Sequence, residues 1–208
     1  MIERLIDIFC VHKPESIRII VNSRDKTVRH LLESKKLKCS CPIEVIVKDT
    51  PSSMHSLWEI AKSLPATANL VATTVDTVFS RTKFADYLSK WFALNSKDHE
   101  IDALMGITDY IDDEKPLYVS VADNNRIIKF LDDPEPNIKF VSAGIYGFTS
   151  ACFKVLQHCI EKGEKRLRNF QRALVDNGLR VEAFNMGSVV DVDHLSDIAK
   201  ATDIVNWL

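Results

Sequence analysis

Leu70-Val71-Ala72-Thr73-Thr74-Val75-Asp76 is an apolar run closed by a carboxylate. A buried strand that ends in an acidic residue is what an open α/β sheet presents at its ligand crevice. A second acidic step, Asp191-Val192-Asp193, stands far downstream, just before the last helical pattern. The two read as halves of one divalent-cation site, because Mg²⁺ takes one or two carboxylates together with substrate phosphates. No glycine-rich phosphate loop lies between Met1 and Asp76.

Working outward from that strand, the next segment predicts a helix from about Thr82 to Asn95. Phe84, Leu88, Trp91 and Phe92 form its apolar stripe, and Ser80 can cap its start. Asp76 therefore stands on a strand-to-helix loop, where functional groups collect. Upstream, Ile2, Leu5, Ile6 and Phe9 have helical spacing, so the chain opens inside a helix. Strand Ser16 to Asn22, helix Asp25 to Lys35, strand Ile43 to Lys48, helix Ser53 to Ser63 and strand Asn69 to Val75 follow. This alternation predicts an α/β fold of three layers, a mostly parallel sheet with helices on both faces.

From Ala103 the texture changes to short extended pieces, Ala103 to Thr108, Leu117 to Ala122 and Ile127 to Leu131. The last two are joined by the turn residues Asp123-Asn124-Asn125, which reads as a β-hairpin inserted beside the sheet. Phe140 to Phe148 predicts a buried strand interrupted by Gly144. Helices Thr149 to Glu161 and Arg166 to Asp176, strand Arg180 to Asn185 and a final helix His194 to Leu208 complete the chain. That last helix carries Ile198, Ala201, Val205 and Leu208 on one face. All 208 residues read as a single domain.

With 46% hydrophobic and 27% charged residues, the 208 residues suffice for one good-sized core. A net charge of −2, with Lys and Arg spread along the chain, gives no electrostatic footprint for nucleic acid. No apolar run approaches the roughly 18 residues that span a membrane, and no signal peptide is present. Five cysteines, including the one-residue spacing Cys39-Ser40-Cys41, read as reduced packing residues of a cytoplasmic protein.

Taken in order, these segments resemble the sugar-phosphate nucleotidyltransferases, which join a nucleoside triphosphate to a sugar phosphate or similar acceptor and release pyrophosphate. Met1 to Leu5 resembles the helix after the family's Lys-Pro motif, and Leu70 to Phe79 its strand ending in a metal-binding Asp. Ser142 to Phe148 resembles the sugar-side strand "aGiY.f", and Asp191 to Ile198 the "DvDtpeDl" ending. The resemblance implies a nucleotide-diphospho-sugar transferase-like fold, Mg²⁺ as cofactor, a nucleoside triphosphate and a phosphorylated small molecule as partners, and neither nucleic acid nor membrane. It departs from the family in lacking the GGxGTRL loop and Lys-Pro motif that hold the triphosphate. The chain is accordingly expected to be a shortened form without the first strand and phosphate loop, to turn over weakly, and to associate into homo-oligomers. Where family members often show Glu-Lys-Pro, this chain reads Asp132-Asp133-Pro134, and Asp132 is a candidate for part of that work.

Each candidate also has a plainer structural role. Asp76 is a catalytic metal ligand, or a helix N-terminal carboxylate stabilised by backbone N–H groups. Asp191 and Asp193 share a side of an extended segment and can point at one ion, or Asp193 caps the following helix with Asp197 supporting its first turn. Gly144 matches the glycine beside the sugar-phosphate pocket, or it relieves crowding in a strand. Thr50 to Ser56 occupies the place of the family's base-side segment, which makes Ser53 and Met54 candidate nucleotide-binding residues, while Ser52 or Ser53 is an N-cap and His55 a surface residue. Two alternatives to the transferase are carried: a non-catalytic nucleotide- or sugar-binding regulatory domain of the same fold, and a glycosyltransferase of related fold.

Overall fold

The expected alternation is realised in the computed structural model, which describes residues 1–34, 39–96, 101–111 and 115–206. The first half runs α1 (Ile2–Cys10), β1 (Ile17–Val21), α2 (Lys26–Glu33), β2 (Ile43–Val47), α3 (Ser53–Ala61), β3 (Leu70–Thr73), β4 (Thr77–Val78) and α4 (Arg81–Asn95). The second half runs β5 (Ala103–Thr108), β6 (Tyr118–Val121), β7 (Ile127–Leu131), β8 (Phe140–Phe148), α5 (Ser150–Glu161), α6 (Leu167–Asp176), β9 (Val181–Asn185), β10 (Val190–Asp191) and α7 (Asp197–Asn206). The expected helix ends at Lys35 and Leu208 lie outside the described residues. Capping explains several of the starts. Asp25 accepts from the Val28 N–H, Ser52 from His55 and Ser80 from Lys83, each satisfying a donor that the first turn leaves open.

The main sheet has the order β7-β6-β8-β5-β9, with β3 on the flank of β8. It is mixed rather than mostly parallel in its pairing. β8 runs antiparallel to β3, β5 and β6, while β5 and β9 pair in parallel. The reversal of this one central strand converts its neighbours' ladders to antiparallel although β3, β5, β6 and β9 all point the same way. β6 and β7 pair antiparallel across the Asp123–Asn125 turn, where Asn125 takes φ 64°. β1 and β2 form a separate parallel pair.

Helices cover both faces of the main sheet, as three layers require. On one face Met54 and Leu57 of α3, Leu156 of α5 and Phe170 and Leu174 of α6 pack on Ala103, Met105, Tyr146 and Phe148. On the other, Leu5 and Ile8 of α1 with Phe84, Tyr87, Leu88 and Trp91 of α4 pack on Leu104, Ala143 and Ile145. The alternation Ala103/Leu104/Met105 between the two cores is the period-2 signature of a strand buried on both sides. Phe92 departs from the expected stripe and is 60% exposed, because Phe84, Leu88 and Trp91 follow spacings of four and three that leave it off their face. Ile198 is likewise exposed on α7. The β1–β2 pair is tied to α3 by Arg18, whose Nη1 donates to the Ile60 carbonyl and Ser63 hydroxyl, and by the Lys48–Glu59 ion pair. No helix among the described residues is long and apolar enough to cross a membrane.

The reading of all five cysteines as reduced is corrected by a Cys10–Cys39 disulfide. The end of α1 and the approach to β2 bring these Cα atoms within 5.5 Å, which lies in bonding range. Cys41, Cys152 and Cys159 are free thiols, and Cys41 Sγ lies 3.3 Å from Cys39 Sγ. Closing a loop with a sequence separation of 29 should contribute about 3–4 kcal/mol by restricting the unfolded chain. Reduction should therefore lower the urea midpoint by the equivalent of that energy. The Cys10→Ser variant should start at the lower value and respond no further to reductant; equal midpoints for oxidised and reduced wild type would deny the bridge any stabilising role.

Candidate functional site

The site forms where the chain leaves β3. After Thr73 it bends through Thr74, Val75 and Asp76, then becomes extended again as β4. β4 pairs antiparallel with β10, Val78 opposite Val190 and Thr77 opposite Asp191, and Val192 N–H donates to the Asp76 carbonyl at 3.0 Å. This ladder brings Asp76 and Asp191 together from distant parts of the chain. A small apolar cluster of Val78, Val190 and Ala201, with Val192 and Ile204 against it, clamps the ladder to α7.

Sequence reasoning missed Thr77 and Thr74, which the fold places beside Asp191. The Thr77 hydroxyl, fully buried, donates to Asp191 Oδ1 at 2.7 Å and lies 2.5 Å from the Thr74 hydroxyl. Asp76 Oδ1 is buried and has no hydrogen-bond partner. A buried carboxylate oxygen left unpaired is costly, and a bound cation would satisfy it. A carboxylate at the end of β10 and another just before β4, the latter with an orphaned buried oxygen, suit a hard cation that completes its shell with phosphate and water. Both carboxylates act on one further group, the buried phenol of Tyr146. Its pKa is pushed up to about 12, first by burial and then by Asp191 and Asp76, against a partly offsetting hydrogen bond from Ser142. Tyr146 is thus a neutral neighbour of the pair.

Two of the molecule's concavities carry polar linings. One, of about 480 Å³, is lined by Asp191, Asp193, His194, Ser142, Lys115 and Lys200, among others. The second, of about 540 Å³, lies at the carboxyl ends of β1 and β2 against the start of α3, with Asn22, Arg24, Lys48, Ser52 and Ser53 on its wall. Both are of the size of small-molecule sites.

The remaining sequence candidates fall as follows. Ser53 lines the second concavity, whereas Met54 is fully buried in the core, so its side chain faces the sheet and not a ligand. Ser52 is the N-cap, and its hydroxyl also meets His55 Nδ1 at 2.8 Å. Asp193 lines the first concavity, but it does not join Asp76 and Asp191 in one cluster. No group of three or more His, Cys, Asp or Glu placed to hold a metal occurs among the described residues. Asp191 and Asp193 line the same concavity, with β10 ending at Asp191. The carboxylate that organises the start of α7 is Asp197, which accepts from His194 N–H at 2.8 Å, a bond that leads the causes holding its carboxyl below the usual range. Gly144 adopts φ +70°, and a Cβ there would lie 2.5 Å from Thr77 Oγ1; it makes room for Thr77. Asp132 is engaged by Arg168 and Arg172 of α6 at 2.5 and 2.8 Å, which holds β7 to that helix and keeps the carboxyl ionised below its usual range.

No curated protein matches this sequence. Solved structures share its fold at low identity. The inositol-1-phosphate CTP transferase from T. maritima superposes with a TM-score of 0.73 at 14% identity, covering 97% of this chain and 81% of its own. UDP-glucose pyrophosphorylase complexed with UDP-glucose superposes with a TM-score of 0.75 at 12% identity, covering 97% and 84%. HddC from Yersinia pseudotuberculosis does so with a TM-score of 0.70 at 13% identity, covering 97% and 84%. At these identities the likeness is one of fold. The family described as nucleotidyl transferase matches residues 1–206, and with the match spanning nearly the whole sequence, the chain belongs to the nucleotidyl transferase family.

Proposed function

We propose that this domain transfers a nucleoside monophosphate from a nucleoside triphosphate to a sugar phosphate or similar phosphorylated acceptor, with release of pyrophosphate. The observation that carries the proposal is the ladder that sets Asp76, with its unpartnered buried oxygen, beside Asp191 at the edge of a polar concavity. Asp76 and Asp191 would hold Mg²⁺, which supplies charge neutralisation on the phosphates during attack at the α-phosphorus. The concavity beside Asp191 takes the acceptor. Lys115 and Lys200 on its wall supply positive charge for a phosphate, and Ser142 and His194 offer polar groups. The nucleotide is assigned to the concavity at β1 and β2, where Ser53 and Arg24 contribute polar groups. The residues position the reactants for in-line attack and form no covalent intermediate.

The sequence holds six glycines and no glycine-rich phosphate loop. Among the described residues β1 pairs only with β2 and β3 only with β8. With no phosphate loop in these 208 residues to hold a triphosphate, turnover by this chain alone should be weak. The lack of that loop also favours a second reading, a binding domain that keeps the acceptor side of the site. The two readings separate in one experiment on the purified chain, thermal denaturation with each nucleoside triphosphate, with and without Mg²⁺, followed by a pyrophosphate-release assay with phosphorylated acceptors. The transferase reading expects a Mg²⁺-dependent shift with a triphosphate and slow, acceptor-dependent pyrophosphate release. A shift with an acceptor alone, indifferent to Mg²⁺ and triphosphate, would replace it with the binding domain.

A further inference from the structure

Thr77 has one hydroxyl proton and two oxygen neighbours. Asp191 Oδ1 at 2.7 Å and Thr74 Oγ1 at 2.5 Å are both within hydrogen-bond range. An ionised carboxylate can only accept, so the Thr77 proton points at Asp191. Thr77 must then accept from Thr74, which gives the chain Thr74 O–H to Thr77 O–H to Asp191 a single direction. Each bond polarises the next, and Thr77 in the middle of the chain is fully buried.

The surroundings fix this geometry further. Thr77 lies on β4 directly opposite Asp191 on β10, and the backbone at Gly144 approaches so closely that even a methyl group there would overlap the Thr77 hydroxyl. Asp191 itself is exposed and sits at the end of a two-residue strand.

We infer that Thr77 is a positioning residue, which fixes the Asp191 carboxylate for a divalent cation and so sets the cation affinity of the site, with Thr74 fixing the direction of its proton. This rests on the transferase reading only in taking Asp76 and Asp191 as cation ligands. Partners that orient a metal-binding carboxylate typically change affinity 10- to 100-fold when removed.

The test uses Mn²⁺ as the probe and follows its binding to the full chain by electron paramagnetic resonance, with the melting temperature of each variant recorded in EDTA. Thr77→Val keeps the shape and removes the hydroxyl, and it should weaken Mn²⁺ binding about 10- to 100-fold. Thr77→Ser keeps the hydroxyl and should restore affinity to near the wild-type value. Thr74→Val leaves the bond to Asp191 but not its direction, so its loss should be smaller; it also provides a second reading of the chain should the valine at position 77 unfold the protein. A role confined to stability would lower the melting temperature of Thr77→Val and Thr74→Val and leave Mn²⁺ affinity unchanged in the folded protein, which overturns the inference. Asp76→Asn separates this failure from failure of the metal reading. Mn²⁺ binding lost in Asp76→Asn but intact in Thr77→Val removes Thr77 alone, whereas binding intact in Asp76→Asn removes the cation site and the positioning role together.

Discussion

Replacing Asp76 with Asn should abolish the Mg²⁺-dependent response to nucleotide while leaving the metal-free protein at least as stable as before. The first half follows from charge. Asp76 contributes one of two carboxylates at the end of the β4–β10 ladder, and an amide is a poor ligand for a hard cation that relies on carboxylate charge. A ligand held at 100 times its dissociation constant adds about 2.7 kcal/mol to the folded state, which for a chain of this size is a shift of roughly 5–10 °C. That shift should vanish in the variant. The second half follows from Asp76 Oδ1, buried and without a hydrogen-bond partner. Leaving a buried charged oxygen unpaired costs about 1–3 kcal/mol or more, and neutralising it removes part of that cost. A side chain kept for function at the expense of stability has this signature. The measurement is a pair of melting curves, in EDTA and in Mg²⁺ with triphosphate. If the variant instead melts well below wild type in EDTA, Asp76 serves the fold, as a helix-start carboxylate would.

The strand that ends near Asp76 was legible because its cues are local: an apolar run, an acidic stop, and a serine cap before a helical stripe. Observed bounds Leu70–Thr73 and Arg81–Asn95 fall inside or within a residue of the expected ones. The direction of β8 was not legible, since alternation of side chains is the same whichever way a strand runs, and direction depends on what the connection before it does. Asp193 shows the limit of the alternation rule itself. Asp191 and Asp193 do line one concavity, but nothing in Asp191-Val192-Asp193 announces that the β10 pairing stops at its second residue. Met54 was selected by position in a resembling segment, and the helix periodicity that buries it with Leu57 and Ala61 was the better guide. The Cys10–Cys39 bridge joins segments 29 residues apart with no pattern linking them. Thr77 carried no signal except its place beside Asp76, because its partner lies 114 residues away. Long-range pairing decides which hydroxyls matter, and a single sequence does not contain it.

Two glycines three places apart on β8 separate damage to the core from damage to the site. Gly144 adopts φ +70°, and alanine there would put its Cβ 2.5 Å from Thr77 Oγ1 and 3.1 Å from Thr74 Oγ1. The left-handed conformation costs an L-residue about 1–2 kcal/mol, and forcing a methyl group into a packed interior about 1–3 kcal/mol more. Gly147 lacks the positive φ, but its Cβ would lie 2.9 Å from both Trp91 Cε3 and the Tyr87 hydroxyl. Both side chains are buried, and the Tyr87 hydroxyl donates to the Leu104 carbonyl at 2.8 Å. Gly147→Ala should therefore destabilise by about 1–3 kcal/mol, on the α4 face of the sheet, with Mn²⁺ affinity retained. Gly144→Ala should destabilise by roughly 2–5 kcal/mol and also weaken Mn²⁺ binding about 10- to 100-fold, because the methyl group displaces the hydroxyl that holds Asp191. Urea denaturation of both variants, with Mn²⁺ titration under conditions where each is folded, reads the two effects separately. Equal Mn²⁺ affinities in the two alanine variants would mean that Gly144 matters only to β8, and that the close approach to Thr77 has no bearing on the carboxylate pair.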